Sequence, residues 1–498
     1  MKSLKAHLTP FLLFLISLVL RISLISKGPY HGDCLALAIA AQKTVTTSKF
    51  HFIHAHGYPL TSMIGALFVF VTNLFSIKNP VWAVNFMSVL FSSLCIPIFY
   101  YFAKKLLNPT AALSGAILFS LSPIFLGNSL YGNSHPINIF FNLLGFSLLL
   151  THFKTTEKNL ILFSGISFGL AAAARIQDTL VIVPAILIFI FTNVRPLPNT
   201  TSQKTKTFIH VALIAALTTI FFYCPLLFEK LSNKGSISNS FASYVLAFWN
   251  GISLPYLKIF TTYLLTNFSL GGFILIFPSF FMLANEKPKT SLFILAWILV
   301  PFLLFSTFNT TIARYFIIVI LPLYILQGFL FGEFFKKNRY FKYSSIIVFL
   351  LISLLPLLET YPVFKTRNQH AYLPEYAEWI GRQTEKHAVI IPADEGTFVE
   401  YYGKRKCLRR PRGFYIKISE AKAFKNKLDN LLDKDIPVYI TGSGLYSYNF
   451  RKWFSNFIQK NYRLELRGSR LAEDWHGGVL KQTIGYEHFY KITQKSDK

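Results

Sequence analysis

Twelve apolar runs punctuate this chain, centred on residues 9–26, 60–77, 81–103, 111–127, 136–152, 159–174, 178–193, 207–227, 257–283, 291–307, 314–335 and 343–360. A helix that crosses a bilayer needs about 20 mostly apolar residues. The 498 residues are 53% hydrophobic and only 14% charged, whereas soluble domains carry about 25% charged residues. The pattern dictates a polytopic α-helical membrane protein. The N-terminal run follows basic residues, as a signal peptide would, but it lacks a small-x-small cleavage site. It reads as an uncleaved first helix.

Basic residues between the runs set the expected topology. Lys104 and Lys105, then Lys154 and Lys158, then Arg195, Lys204 and Lys206, then Lys287 and Lys289, then Lys336, Lys337, Arg339 and Lys342 form five clusters. The positive-inside rule places them in the cytoplasm with Lys2 and Lys5. Successive clusters must then be separated by an even number of crossings. Three runs lie between Lys5 and Lys104, so one does not cross. The run at 60–77 carries Thr61, Ser62, Thr72 and Asn73 and reads as a helix in the outer interface. About eleven crossings remain, which places the C-terminus outside. The loop around Asp33, Asn128–His135, Arg175–Asp178, Glu229–Tyr256 and Ser306–Arg314 share that outer face.

Composition changes after Thr360. Residues 1–360 read as the membrane domain, with an outer loop at 27–58, and residues 361–498 as a small α/β domain. Ala388–Pro392 and Pro437–Thr441 read as strands, and Phe398–Tyr402 as a strand or a helix start. Ile418–Leu432 reads as an amphipathic helix with Ala421, Phe424, Leu428 and Leu431 on one stripe, and Asn449–Gln459 as a second helix.

The formal net charge of +28 is topogenic and implies affinity for anionic lipid headgroups. No basic-aromatic module for nucleic acid is present. Cys34, Cys95, Cys224 and Cys407 are far apart, with no CxxC or zinc spacing.

Polar residues beside the apolar runs are the candidates for chemistry. The loop Lys27–Leu60 holds one carboxylate, Asp33, and His31, His51, His54 and His56. Asp33 is either a general base for a hydroxyl or a cap on the helical stretch Cys34–Gln42. His51, His54 and His56 are interfacial or bind a metal without a zinc-type spacing, and His31 and His56, with Tyr58, are candidates to contact substrate. His135 and Asn138 follow Asn128, Tyr131 and Asn133, a patch suited either to sugar recognition or to an interfacial turn. Arg175 and Asp178 form a structural ion pair or contact substrate. Arg314, beside Tyr315, either matches a phosphate in fork geometry or snorkels to headgroups. In the tail, Asp394-Glu395 and Gly442-Ser443-Gly444 stand out weakly, and no GxGxxG or GxxxxGK[ST] motif marks a nucleotide site.

Taken in order, these segments resemble the GT-C class of membrane glycosyltransferases, which includes protein O-mannosyltransferases and the aminoarabinose transferase that modifies lipid A. The resemblance covers about residues 10–340. It rests on Tyr30-His31-Gly32-Asp33 after the first span and His56-Gly57-Tyr58-Pro59-Leu60 before the interfacial helix. It continues through Val84–Leu107, Leu118–Phe125, Tyr131–Leu150, Phe168–Pro184 and Ala313–Tyr324. Two positions often acidic in such proteins are not acidic here: Cys34-Leu35-Ala36-Leu37 and His135-Pro136-Ile137-Asn138.

The resemblance implies transfer of a mannose-type hexose or similar sugar, with inversion, from a polyprenyl-phosphate donor. The acceptor is a hydroxyl of a lipid, glycan or protein. Asp33 is the implied base, Arg314 with Arg175 the implied phosphate partners, and the C-terminal domain the holder of the acceptor. It implies no obligatory cofactor and at most an optional divalent metal. A transporter or flippase favours mid-membrane ionisable residues and repeat symmetry, which the nearly charge-free runs lack. A non-catalytic scaffold is the other alternative. The expected setting is a bacterial inner membrane, with the C-terminal domain extracytoplasmic.

Overall fold

The computed structural model describes residues 2–53, 58–192, 201–232, 254–306, 313–393, 395–410, 418–446, 453–474 and 483–494. The expectations for His54, His56 and Asp394 lie outside these residues. The chain divides into two compact units. One holds residues 2–26 and 37–366. The other joins Lys27–Ala36 to the chain from Arg367 onward.

The first unit is helical, and each apolar run falls on a helix. Among the described residues, seven helices are long and apolar enough to cross a membrane, or eight if the pair Pro109–Leu121 and Pro123–Ser129, bent by 57°, is one span. Four shorter apolar helices are His7–Ser23, Pro59–Leu74, Asn159–Ala174 and Ile176–Thr192. The stretch expected as an outer interfacial helix is thus helical over Pro59–Leu74, with Pro59 at its start, where a missing N–H costs nothing.

Burial separates axis from periphery. The segment Ala313–Phe334 is 94% buried, whereas Thr201–Phe228 is only 11% buried. Small residues let the central helix approach its neighbour. A Cβ built on Gly328 would stand 2.5 Å from the Ala111 carbonyl oxygen, and one on Gly332 2.7 Å from the Ala111 Cβ. Ala111 and Gly115 face Gly328 and Gly332, both pairs four residues apart, so the two backbones touch as small-xxx-small helices do. Beside this seam, Phe102, Phe146, Phe189, Phe293 and Trp297 form a ring cluster, with Phe146 stacked 4.6 Å from Trp297.

Two groups of buried polar side chains inside this unit are bonded within themselves, as an apolar setting favours. At the bend, Asn267 Oδ1 accepts from Ser122 Oγ (2.9 Å) and from the Ile124 N–H (3.1 Å), and its amide donates to Tyr324 (2.7 Å). Arg21 is fully buried and donates to the hydroxyls of Ser129 (3.1 Å) and Ser17 (2.5 Å) and to the Ser120 carbonyl (3.3 Å). Its guanidinium lies 5.2 Å over Phe125.

The second unit carries a five-stranded sheet in the order β2-β1-β3-β5-β4. The strands are β1 (Val389–Ile391), β2 (Lys406–Cys407), β3 (Val438–Thr441), β4 (Tyr462–Asp474) and β5 (Thr483–Gln494). β1 runs parallel to β2 and β3, whereas β5 is antiparallel to β3 and β4. β1 and β3 are buried throughout, which fits strands covered on both faces. The helix Ile418–Leu432 packs Phe424 and Leu428 into a core with Ile391, Ile440, Leu445, Phe454 and Ile492. Of the two readings for Phe398–Tyr402, the helical one matches the helix Gly396–Tyr401. The second expected helix begins, among the described residues, at Trp453 and ends at Asn461.

Candidate functional site

The helix Asn159–Ala174 ends at Arg175, whose extended backbone breaks the path before Ile176–Leu180 begins. This break turns a guanidinium into the interior. Arg175 Nε donates to Asp178 Oδ1 at 2.9 Å, three residues on. The other carboxylate oxygen, Oδ2, lies 3.0 Å from His135 Nδ1, at the start of the helix His135–Thr155. Arg175, Asp178 and His135 are 4%, 2% and 1% exposed. A buried carboxylate that bridges two nitrogen bases is well compensated.

Tyr58 closes another side of the cluster. Its φ of 46° and ψ of 60° are left-handed, a conformation that costs energy for a bulky residue and concentrates at functional sites. That backbone sends the phenol inward, where its oxygen accepts from Arg175 Nη1 (3.1 Å) and Gln177 Nε2 (3.2 Å). The Arg175 guanidinium also lies 5.2 Å over the Tyr58 ring and 5.0 Å over the Tyr315 ring. Asn138 ties the floor together. Its amide donates to the carbonyls of Ala171 (2.9 Å) and Arg175 (3.1 Å) and to Thr179 Oγ1 (2.9 Å).

Arg314 sits in the short helix Ala313–Phe316 with its guanidinium 5.9 Å from the Tyr315 ring. Tyr315 in turn faces His135 edge-on at 6.1 Å. Arg314 is only 7% exposed and lies within electrostatic reach of His135. Among the described residues the cluster therefore holds two guanidiniums and one carboxylate. Guanidinium groups match the oxygens of a phosphate in fork geometry.

Of the residues singled out in the sequence, the fold gathers Tyr58, His135, Asn138, Arg175, Asp178, Arg314 and Tyr315. Tyr131 donates to Asn128 Oδ1 at 2.8 Å. Asp33 and His31 belong to the other compact unit. Asp33 occupies the first turn of the helix Gly32–Thr47, where a carboxylate meets the positive end of the helix dipole. Its side chain is 30% exposed and lies 3.5 Å from His31 Nδ1. That nitrogen also accepts the Asp33 backbone N–H at 3.0 Å. Capping and base roles are thus compatible in one residue.

Three neighbours escaped sequence reading. Gln177 and Ser134 both bond within the cluster, and Tyr223 lies within reach of Tyr58 and Arg175. Gln177 sits between two flagged residues, but nothing in an apolar run marks Tyr223. Among the described residues no group of three or more His, Cys, Asp or Glu side chains is placed to hold a metal. His51 Nε2 lies 3.1 Å from Thr47 Oγ1.

Residues 60–223 match the family described as dolichyl-phosphate-mannose-protein mannosyltransferase. No curated protein sequence matches the chain. Among solved structures, the fold is similar to that of ArnT from Cupriavidus metallidurans bound to undecaprenyl phosphate, with a TM-score of 0.64 and 10% identity. That match covers 97% of each chain. It is similar as well to the oligosaccharyltransferase AglB from Archaeoglobus fulgidus in complex with an inhibitory peptide and a dolichol-phosphate. There the TM-score is 0.63 at 12% identity, covering 96% of this chain and 74% of that one. The mycobacterial arabinofuranosyltransferase AftD matches with a TM-score of 0.56 and 11% identity, over 98% of this chain and 42% of its own.

Proposed function

We propose that this chain is a membrane glycosyltransferase of the GT-C class, which moves a sugar from a polyprenyl-phosphate donor to an acceptor hydroxyl. The observation that carries the reading is the buried Arg175, held by Asp178 with His135 on the other carboxylate oxygen. Asp178 and His135 fix the direction of Arg175, and Arg314, beside Tyr315, brings a second guanidinium. A lipid phosphate leaving the sugar needs such partners, because charge that develops in the transition state is stabilised by preorganised donors.

In this mechanism Asp33 takes the proton of the acceptor hydroxyl. The hydroxyl oxygen bonds to the anomeric carbon as the bond from that carbon to the phosphate oxygen breaks. The electron pair goes to the lipid phosphate, which the guanidiniums hold. One displacement inverts the anomeric centre. A mannose-type hexose is the sugar class we favour, supported by the family matched over 60–223. The unit that joins Lys27–Ala36 to the C-terminal chain carries the base and, in this reading, selects the acceptor. We favour a bacterial inner membrane with that unit outside, an orientation that the distribution of Lys and Arg supports.

The test is sugar transfer by purified, lipid-reconstituted protein offered a panel of polyprenyl-phosphate sugars. Turnover by the parent and a loss of about 10²–10⁴-fold in Asp33→Asn is the expected result, the range for removal of a general base. Turnover untouched by this substitution removes Asp33 as the base. Absence of binding to every donor removes the reading itself.

A further inference from the structure

The carboxyl ends of β1 and β3 hold a second polar cluster that the transfer reaction does not use. In sheets with parallel strands, ligands bind outside such strand ends. The chain leaves β1 towards Glu395 and leaves β3 through Thr441, Gly442 and Ser443. Glu395 Oε1 accepts three hydrogen bonds, from Ser443 Oγ (2.5 Å), Thr441 Oγ1 (2.6 Å) and the Ala393 N–H (3.2 Å). Glu487, from β5, accepts the Ser443 N–H on its own Oε1. One serine therefore bridges two carboxylates, and no Lys or Arg pairs with either among the described residues.

The hydroxyls of Thr441 and Ser443 and the N–H groups of Ala393 and Ser443 are spent on the two Oε1 atoms. What remains is acceptor capacity, the Oε2 of each carboxylate, together with one phenol. Tyr376 is 1% exposed, and its hydroxyl has no hydrogen-bond partner. It lies within electrostatic reach of both Glu487 and Glu395. A buried hydroxyl without a partner is costly unless something else satisfies it.

We propose that this strand-end cluster binds a primary ammonium group through Glu395 Oε2, Glu487 Oε2 and the Tyr376 hydroxyl. An ammonium has three donors and no acceptor, which suits the two open carboxylate oxygens and the phenol oxygen, while the phenol's own proton turns to a carboxylate. Its charge offsets two carboxylates that share one site. Burial and the neighbouring Glu395 both push Glu487 towards its protonated form, which is the strain that a bound cation relieves. Glu395 is 6% exposed, whereas Ser443 and Glu487 are half-buried, so the way in lies on their side. The proposal stands independently of the transfer reaction.

The test is calorimetric titration of the full chain in detergent with ethanolamine and glucosamine, against ethylene glycol, glucose and calcium chloride. Saturable binding of the amines alone is expected. Tighter binding of glucosamine assigns the occupant to an amino sugar, and tighter ethanolamine assigns it to an amino alcohol. Tyr376→Phe removes a hydroxyl that bonds nothing in the fold, so this variant melts no lower than the parent. It weakens amine binding about tenfold, the scale of one hydrogen bond to a charged group. Glu487→Gln weakens it further. The proposal is overturned by the absence of saturable amine binding, or by equal binding of the neutral analogues. Calcium binding in place of the amines, or amine affinity unchanged in both variants, overturns it as well.

Discussion

The Arg175 cluster in the helical unit and the Glu395–Glu487 cluster in the C-terminal unit solve the same problem in opposite ways. Around Arg175, unlike charges meet: a guanidinium, a carboxylate and an imidazole bond one another inside an apolar bundle. Around Ser443, like charges meet, and hydroxyls with backbone N–H groups stand where a cation would be expected. A bilayer offers no water to screen a lone charge, so ionisable groups among membrane helices find partners or face a cavity. A domain rich in charged surface tolerates partial compensation, since solvent stands nearby and a carboxyl can hold its proton. The first cluster is therefore sensitive to loss of a charge, and the second to proton and ligand.

The sharpest way to break this contrast is Asp178→Asn. It strands Arg175 as a buried cation, and such losses cost about 3–5 kcal/mol. We expect a large fall in the melting temperature of the detergent-solubilised protein, together with lost transfer. A variant that melts like the parent would show that Arg175 does not depend on this pair. Glu395→Ala comes next. It leaves Ser443, Thr441 and the Ala393 N–H without their acceptor, a cost of about 1.5–3 kcal/mol for a charged group. Chemical denaturation followed by Trp379 fluorescence reads this unit, because Trp379 packs on the Phe489 ring within it.

Tyr58→Phe is smaller. It removes one oxygen that accepts from both Arg175 and Gln177 but keeps the ring under the guanidinium. A loss of about 1 kcal/mol is expected, visible as a lower transfer rate with nearly parental melting. The smallest effect is on pH dependence. Burial raises Glu487 above its ordinary value of 4.5, so the folded state binds more protons than the unfolded state in the window above 4.5. Stability contributed by this group is present below that value and falls as pH rises through the raised one. Glu487→Gln flattens this decline in a melting-temperature profile. An unchanged profile would assign the slope to another group.

Much of this was readable in the order of residues. Each apolar run became a helix, because membrane helices announce themselves by length and composition. Arg175 and Asp178, three apart around a helix break, were visible as a pair. Their third member, His135, was flagged, but its partner lies forty-three residues away in sequence, and no periodicity connects them. The left-handed Tyr58 was hidden for another reason: a Tyr before Pro looks extended, and only packing reverses it. In the tail, Glu395 and Ser443 stood out weakly as separate motifs. Their meeting depends on β1 and β3 pairing side by side, a long-range fact that single-sequence patterns do not encode. Glu487, on a strand of alternating polar residues, gave no signal of burial.

The hydrogen bond from the Asp33 N–H to His31 Nδ1 has a kinetic corollary. A ring nitrogen that accepts an N–H presents its lone pair there, which places the imidazole proton on Nε2. A proton captured by Asp33 then has no relay through the near side of His31. In the proposed mechanism, with Asp33 as the base, His31 would set the orientation of the base without sharing its cargo, and turnover in heavy water would report a single proton in flight, with a linear proton inventory.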